Sequence, residues 1–319
     1  MDRRQFLVAT ALLGPAGLAG CERHEPLLRV SGITWVGYEP LFLADRLALF
    51  PPKRIRLIES PSNTNSLMQL SAGEVEAATL TLDEFILARA GGIPVDIVLI
   101  FDTSRGADVV MVRPGIDTPA GLRGCRIGVE ETAAGALMLS RALEAGGLSR
   151  DDVQLVSMVG EEQVSAFRRG QVDAVISYEP FATRLADAGA RRLYDSSAFP
   201  GLITDVLVVR REAIESMPRA IQQLVEGHFE ALAILRSSPG RAHVLMAPRL
   251  GLSVGEVTTV FDGVHLLDLR DNHRWLGGDQ RILRSTARTV AKIMQQNRLI
   301  DTIPPMDSPG TARFLPEAP

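Results

Sequence analysis

Trp35, Tyr38 and Tyr178 stand beside acids in positions that suit the capture of a small molecule. Aromatic residues are only 5% of the chain, yet these three fall in loops that follow strand-like runs. With them stand Glu39, Asn63, Thr81, Asp83, Ser104, Asp108, Thr132, Glu179 and Asp205. Aromatic walls with a few directed polar groups are the usual lining of a small-molecule site. The same loops are rich in carboxylates and nearly free of basic residues, Arg105 being the exception. Carboxylates beside Trp and Tyr suit a cation or a ring that donates hydrogen bonds. A buried anion would want guanidinium groups or free helix amides instead. Glu130 and Glu131 at a helix start would repel an anion, although the amides near Thr132 and Gly135 remain available to a polar group. Plainer readings stay open for several of these residues. Trp35 and Tyr38 can serve packing between lobes, Asn63 or Asn65 can cap a helix, and Asp102–Asp108 can be a tight turn around Gly106.

Catalytic signatures are scarce. There is no His-Glu-x-x-His, Walker loop, Gly-x-Gly-x-x-Gly or Gly-x-Ser-x-Gly motif. His24, His228, His243, His265 and His273 have no second ligand at metal spacing. No catalytic residue, metal site or cofactor is expected, although an enzyme working through carboxylates alone stays open. Cys21 and Cys125 are the only cysteines, too few for a disulfide framework once Cys21 is modified. Cys125 reads as a small buried residue at a strand start.

The elements that must position these residues alternate. Strand-like runs at Leu28–Thr34, Ile55–Glu59, Ala77–Leu80 and Val95–Phe101 enclose helical runs, one opened by Pro40 and others ending near Gly73 and Ala90. A second series has strands at Arg126–Val129, near Val153–Val156, at Ala174–Ser177 and at Arg192–Tyr194, with helices between them. Such alternation predicts an α/β fold with mostly parallel sheets, whose ligands bind beyond the strand ends. The two series repeat one phrase. Leu70-Ser-Ala-Gly-Glu-Val-Glu-Ala-Ala-Thr-Leu-Thr81 aligns with Phe167-Arg-Arg-Gly-Gln-Val-Asp-Ala-Val-Ile-Ser-Tyr178. Two lobes are expected: residues 28–113 with 199–303 form the first, and 114–198 the second. Asp108–Val112 is assigned to the first lobe, with crossings and hinges at Arg113–Gly115 and Phe199–Ile203. Helices fill 212–299, and the Pro-rich stretch 304–319 is expected to be an extended or mobile tail.

The chain has 319 residues, 46% of them apolar, and a net charge of −4. That size and composition suit two domains with real cores, and the charge argues against nucleic-acid binding. Residues 1–20 read as a signal peptide: Arg3-Arg4, then a short apolar core ending in Leu18-Ala-Gly-Cys21. That ending resembles the bacterial lipobox, which implies lipidation of Cys21, a tether over 21–27 and a periplasmic protein anchored to a membrane.

Taken in order, the lipobox, Trp35-Val-Gly-Tyr-Glu-Pro40, Asp117-Thr-Pro-Ala-Gly-Leu-Arg-Gly-Cys-Arg-Ile-Gly-Val129 and Gly170-Gln-Val-Asp-Ala resemble periplasmic substrate-binding proteins of ABC importers. The subgroup is the one that binds nitrate, taurine, sulfonates and thiamine-pyrimidine precursors, and the similarity spans roughly 28–300. The resemblance implies a two-lobed Venus-flytrap fold with two interlobe crossovers, and a monomer delivering its ligand to ABC permease and ATPase subunits. It implies no catalysis, and the cysteine-rich motif of the related fungal pyrimidine synthases is missing. The loop charges favour a neutral or cationic amine or pyrimidine-like ligand over nitrate or sulfonate. The alternatives are a periplasmic sensor subunit controlling a membrane signalling protein and, with less support, a small-molecule enzyme on this fold.

Overall fold

A computed structural model describes residues 25–317, so the expected signal segment 1–20, Cys21 and most of the expected tether lie outside the described residues. The first series runs β1 (Leu28–Gly32), α1 (Glu39–Arg46), β2 (Ile55–Glu59), α2 (Asn63–Ala72), β3 (Ala77–Thr81), α3 (Leu82–Ala90) and β4 (Val95–Ser104). The chain continues through β5 (Asp108–Val112), β6 (Arg126–Val129), α4 (Ala133–Ala145), β7 (Gln154–Ser157), α5 (Gly160–Arg168), β8 (Ala174–Tyr178), α6 (Phe181–Asp187) and β9 (Arg191–Asp195). Then come β10 (Thr204–Arg210), α7 (Arg211–Ser216), α8 (Pro218–Ser237), α9 (Pro239–Leu250), α10 (Val254–Thr259), β11 (Val264–Leu266), α11 (Leu269–Leu276) and α12 (Arg281–Gln296). The helical stretch 212–299 is thus interrupted by β11, a short edge strand whose three residues are too few to show a period.

Two sheets result. One has the order β11-β4-β10-β3-β1-β2 and the other β7-β6-β8-β5-β9. β1 pairs in parallel with β2 and β3, and β6 pairs in parallel with β7 and β8. Within each sheet one crossing strand, β10 or β5, runs antiparallel between two neighbours, so both sheets are mixed and not mostly parallel as the alternation predicted. In β5 successive side chains point to opposite faces. Val110 joins a core with Ile127 and Leu139, while Met111 joins one with Phe167 and Phe181. β10 is buried in the same way, with Val206–Val209 fully inaccessible. Each such aliphatic side chain contributes about 1.5–3 kcal/mol on leaving water.

The repeated phrase has a mechanical meaning. The Arg29 backbone N–H and guanidinium both donate to Glu76, and the guanidinium also reaches the Gly73 carbonyl. Arg126 does the same with Asp173 and Gly170. The partners are 47 residues apart in both lobes. Gly73 and Gly170 end their helices at φ 73° and 71°, the left-handed region that glycine takes without a Cβ penalty.

β5 corrects the lobe boundary. Asp108 pairs with Tyr178 and Val112 with Ala174 and Arg191, so this strand belongs to the second sheet. The first crossing is therefore Arg105-Gly106-Ala107, between β4 and β5, and not Arg113–Gly115. An apolar run is buried equally well in either sheet, so its composition does not say which one it joins. A second repeat does carry that information. Asp108-Val-Val-Met-Val-Arg113 parallels Asp205-Val-Leu-Val-Val-Arg210. Arg113 donates to the carbonyls of Phe167 and Val172, as Arg210 does to that of Leu70. The segment Phe199–Ile203 does lie between β9 and β10, at the second crossing.

The Pro-rich end has no regular secondary structure, as the extended alternative of the expectation had it, and it is docked through Pro316. Ile97 donates to the Pro309 carbonyl at 3.0 Å and accepts from Thr311 at 2.8 Å. Met306, Phe314 and Leu315 are buried against the first lobe. These apolar residues among the prolines anchor a segment that carries no regular secondary structure.

Candidate functional site

The carboxyl ends of β1, β3, β6 and β8 and the starts of β5 and β10 meet between the two sheets. They flank a cleft of about 560 Å³, a figure that includes space open to solvent. Of the residues expected to touch a ligand, Trp35, Asn63, Thr81, Asp108, Thr132, Tyr178 and Asp205 line it. Trp35 and Tyr178 meet edge to face, with ring centroids 5.9 Å apart. Trp35 comes from the loop after β1 and Tyr178 from the end of β8, so this contact crosses from lobe to lobe. Asp205 lies opposite Thr81 and Asp108 opposite Tyr178, which makes the two aspartates equivalent residues of the two lobes.

Behind this lining lies a buried polar layer. The Trp35 indole N–H donates to Asp102 Oδ2 at 3.1 Å, and the Tyr38 hydroxyl donates to Asp205 Oδ1. Tyr38 is thus beneath the cleft floor rather than part of its lining. Gly37 makes room for this layer, since a Cβ there would fall 1.8 Å from Asp102 Oδ2. Asp102 and Asp205 stand close to each other, so charge on Asp102 disfavours ionisation of Asp205. Tyr178 donates to Glu130 Oε2 at 3.4 Å, and Thr81 donates to Glu84 Oε2 through its backbone N–H and its hydroxyl.

Burial moves every carboxyl of this group upward, because the low-dielectric interior disfavours the charged form. Asp102, Asp108 and Glu130 are each pushed up to about 7, and Asp83 to about 6. Asp205 and Glu84 rise further, burial being reinforced by the neighbouring Asp102 and Asp83 respectively. Burial also raises Tyr38 and Tyr178, which keeps their phenols as neutral donors.

Asn63 Oδ1, Asp108 Oδ2, Glu130 Oε1, Ser177 Oγ and Asp205 Oδ2 are buried with no hydrogen-bond partner, and all five residues line the cleft. Each can accept a hydrogen bond. Leaving such a group unpaired costs about 1–3 kcal/mol. Among the described residues that line the cleft, none is Arg, Lys or His.

Besides Tyr38, four expected residues sit outside the lining. Glu39 is buried against Arg249, which also bonds the Ile33 carbonyl, pairs with Glu59 and covers the Phe42 ring. It thereby ties α9 to the first lobe. Glu179 accepts from the backbone N–H and hydroxyl of Thr183 and lies 3.7 Å from Arg192. Ser104 joins the two crossings: its hydroxyl bonds Ser196 at 2.7 Å, and Ser196 in turn accepts from the Gly106 N–H. Asp83 faces the Ala134 backbone N–H across the lobes, beside the lining rather than in it. The helix cap is neither Asn63 nor Asn65 but Ser62, whose hydroxyl accepts from the Asn65 N–H. Asn63 is thereby left free to present its side chain to the cleft.

Glu84 and Glu130 line the cleft and were not among the expected ligand residues. In Thr81-x-x-Glu84 the glutamate carries the signature of a capping box, which hides a second role. Glu130 follows β6 where Ile33 follows β1, so aligning the two lobes would have exposed it. Ile33, Met138, Ile176 and Ile203 complete the apolar lining.

Two crossed-over sheets with a cleft at their strand ends define a periplasmic-binding-protein fold. Residues 23–247 match the model of the NMT1-like family, and the chain belongs to that family. It is 26% identical, over 67% of each chain, to a protein of Escherichia coli (strain K12) named as aliphatic sulfonates-binding. It is 23% identical to the taurine-binding periplasmic protein of the same organism, spanning about half that protein's length (54%). In structure it resembles the periplasmic aliphatic sulphonate binding protein SsuA from Escherichia coli, with a TM-score of 0.69 at 22% identity over 87% of this chain and 94% of that one. The desulfurization enzyme DSZB has a TM-score of 0.66 at 21% identity, over 90% and 97%. These relatives support a solute-binding role, and the fold they share also carries an enzyme.

Proposed function

We propose that this chain is the extracytoplasmic solute receptor of an ABC importer, anchored through Cys21, and that it closes on a small ligand rich in hydrogen-bond donors. The ligand class is a neutral or cationic amine or an aminopyrimidine-like ring. The observation that carries this reading is the set of five unpartnered acceptor atoms facing a cleft lined by no basic residue. A sulfonate would bring three more acceptors and a negative charge to that surface. An ammonium or amidine-like group would satisfy the oxygens and favour their ionised forms, with Trp35 and Tyr178 packing against its apolar part.

Differential scanning fluorimetry tests the class directly. An amine or aminopyrimidine at 100 times its dissociation constant adds about 2.7 kcal/mol of stability. Stabilisation by taurine or alkanesulfonates, with none by amines or pyrimidines, refutes it. Binding of a cation requires ionised Asp108 and Glu130, so affinity is expected to rise with pH up to about 7 and level off above it. The slope approaches tenfold per pH unit for each proton released.

A further inference from the structure

We propose that the ligand is an amphiphile, its polar head in the acidic cleft and an apolar tail in an adjoining groove between the lobes. This rests on the amine reading above and extends it to the rest of the molecule. The groove is open to solvent and, with that open space counted in both, spans about 2120 Å³ against about 560 Å³ for the cleft. The two are continuous, because Glu84, Glu130 and Thr132 line both. Leu67 of α2 and Leu87 of α3 form a wall on the first lobe, and Leu139 and Leu143 of α4 form the facing wall on the second. Met294 of α12 and Leu299 beyond it close one side. Leu87 and Leu299 are 39% and 37% exposed, whereas Leu139, Leu143 and Met294 are buried.

The occupant follows from that arrangement. The walls belong to different lobes and converge on the carboxylates, so a chain leaving the cleft between α3 and α4 runs directly along apolar surface. Charged groups, Glu131, Glu144, Arg150 and Arg298, also contribute to the lining. A tail in this groove would hold the two lobes together through hydrophobic contact, independently of the head group.

Isothermal titration of the full chain with 1-aminoalkanes from propylamine to octylamine tests this. Each methylene placed on the leucines is expected to tighten binding about fourfold, the equivalent of about 0.8 kcal/mol. Leu87→Ser and Leu299→Ser are expected to flatten the series, bringing the octylamine-to-propylamine affinity ratio toward one; both residues are partly exposed, so the variants should fold. Short and long amines bound equally well overturn the tail proposal, leave the amine reading intact and free the groove for a protein partner. A chain-length series seen with alkanesulfonates but not with amines supports the groove and overturns the amine reading. No binding of either series overturns the tail proposal, and with no stabilisation by aminopyrimidines in the fluorimetry it overturns the amine reading as well.

Discussion

In one lobe Arg29 of β1 is clamped by Glu76, and Arg210 of β10 reaches the Leu70 carbonyl. In the other Arg126 of β6 is clamped by Asp173, and Arg113 of β5 reaches the Phe167 carbonyl. The crossing strands open on matched acids, Asp205 and Asp108, both facing the cleft. The divergence begins at the strand ends. Thr81 in one lobe answers Tyr178 in the other, Ile33 answers Glu130, and Trp35 answers Thr132. The framework is the same because it must hold a mixed sheet to its helices twice. The ends differ because two identical walls would present one chemistry, whereas a bound solute has two unlike faces. The pair of aspartates is the exception, and it makes the cleft acidic from both sides.

Breaking that pair gives the largest expected effect. Asp108→Asn and Asp205→Asn should each weaken an amine ligand ten- to a hundredfold or more, equivalent to about 1.5–3 kcal/mol for a hydrogen bond to a charged group. Titration calorimetry reads this, and similar losses at both sites would show that the lobes share the ligand's charge. A loss at one site alone would confine the charge to that lobe.

Next comes the effect of pH on the ligand-free protein. Asp102, Asp108 and Glu130 have folded pKa values raised to about 7 from ordinary values of 3.8, 3.8 and 4.5. The folded state therefore holds more protons than the unfolded state between about pH 4 and 7. Stability from these groups is fully present near pH 4 and is lost as pH rises through about 7. The lowered groups Asp152, Asp173, Asp268 and Glu256 act in the opposite sense, but only near and below their ordinary values. The melting temperature should rise from pH 8 to pH 5, and Asp102→Asn in one lobe or Asp108→Asn in the other should each flatten that rise.

The clamps should differ modestly. Glu76→Ala strips a partner from the Arg29 backbone N–H and should cost about 1–3 kcal/mol in urea denaturation. Asp173→Ala should cost less, since the Asp173 side chain is 30% exposed against 14% for Glu76. Smallest and most alike are Gly73→Ala and Gly170→Ala, about 1 kcal/mol each from the left-handed backbone alone. A Cβ at either position meets nothing closer than 3.9 Å. A large difference between these two would mean that the repeat is not mechanically equivalent in the two lobes.

Much of the fold was legible because strands and helices are written in local periodicity, caps and turns. The first Gly-x-Val-acid-Ala phrase marked corresponding strands, and the break at Phe199–Ile203 falls at the second crossing. The acidic, aromatic character of the cleft was legible too, since Trp35, Tyr178, Asp108 and Asp205 all sit beside strand ends. What could not be read was partnership at a distance. Glu39 looked free beside Tyr38 and is bound by Arg249, far along the chain on α9. Glu84 both caps α3 and forms a wall of the cleft, a double role that no local pattern displays.

The sequence by itself thus determined the alternation of elements, the doubled framework and the sign of the charge at the strand ends, all of which depend on neighbours within a few turns. The tertiary structure decided the sheet in which β5 pairs, which acids are neutralised by arginine, and which are left facing open space. Those outcomes turn on strand register and on burial. Each is set by residues remote in sequence, so the same Asp or Glu can become a tie, a cap or a ligand contact according to what packs across from it.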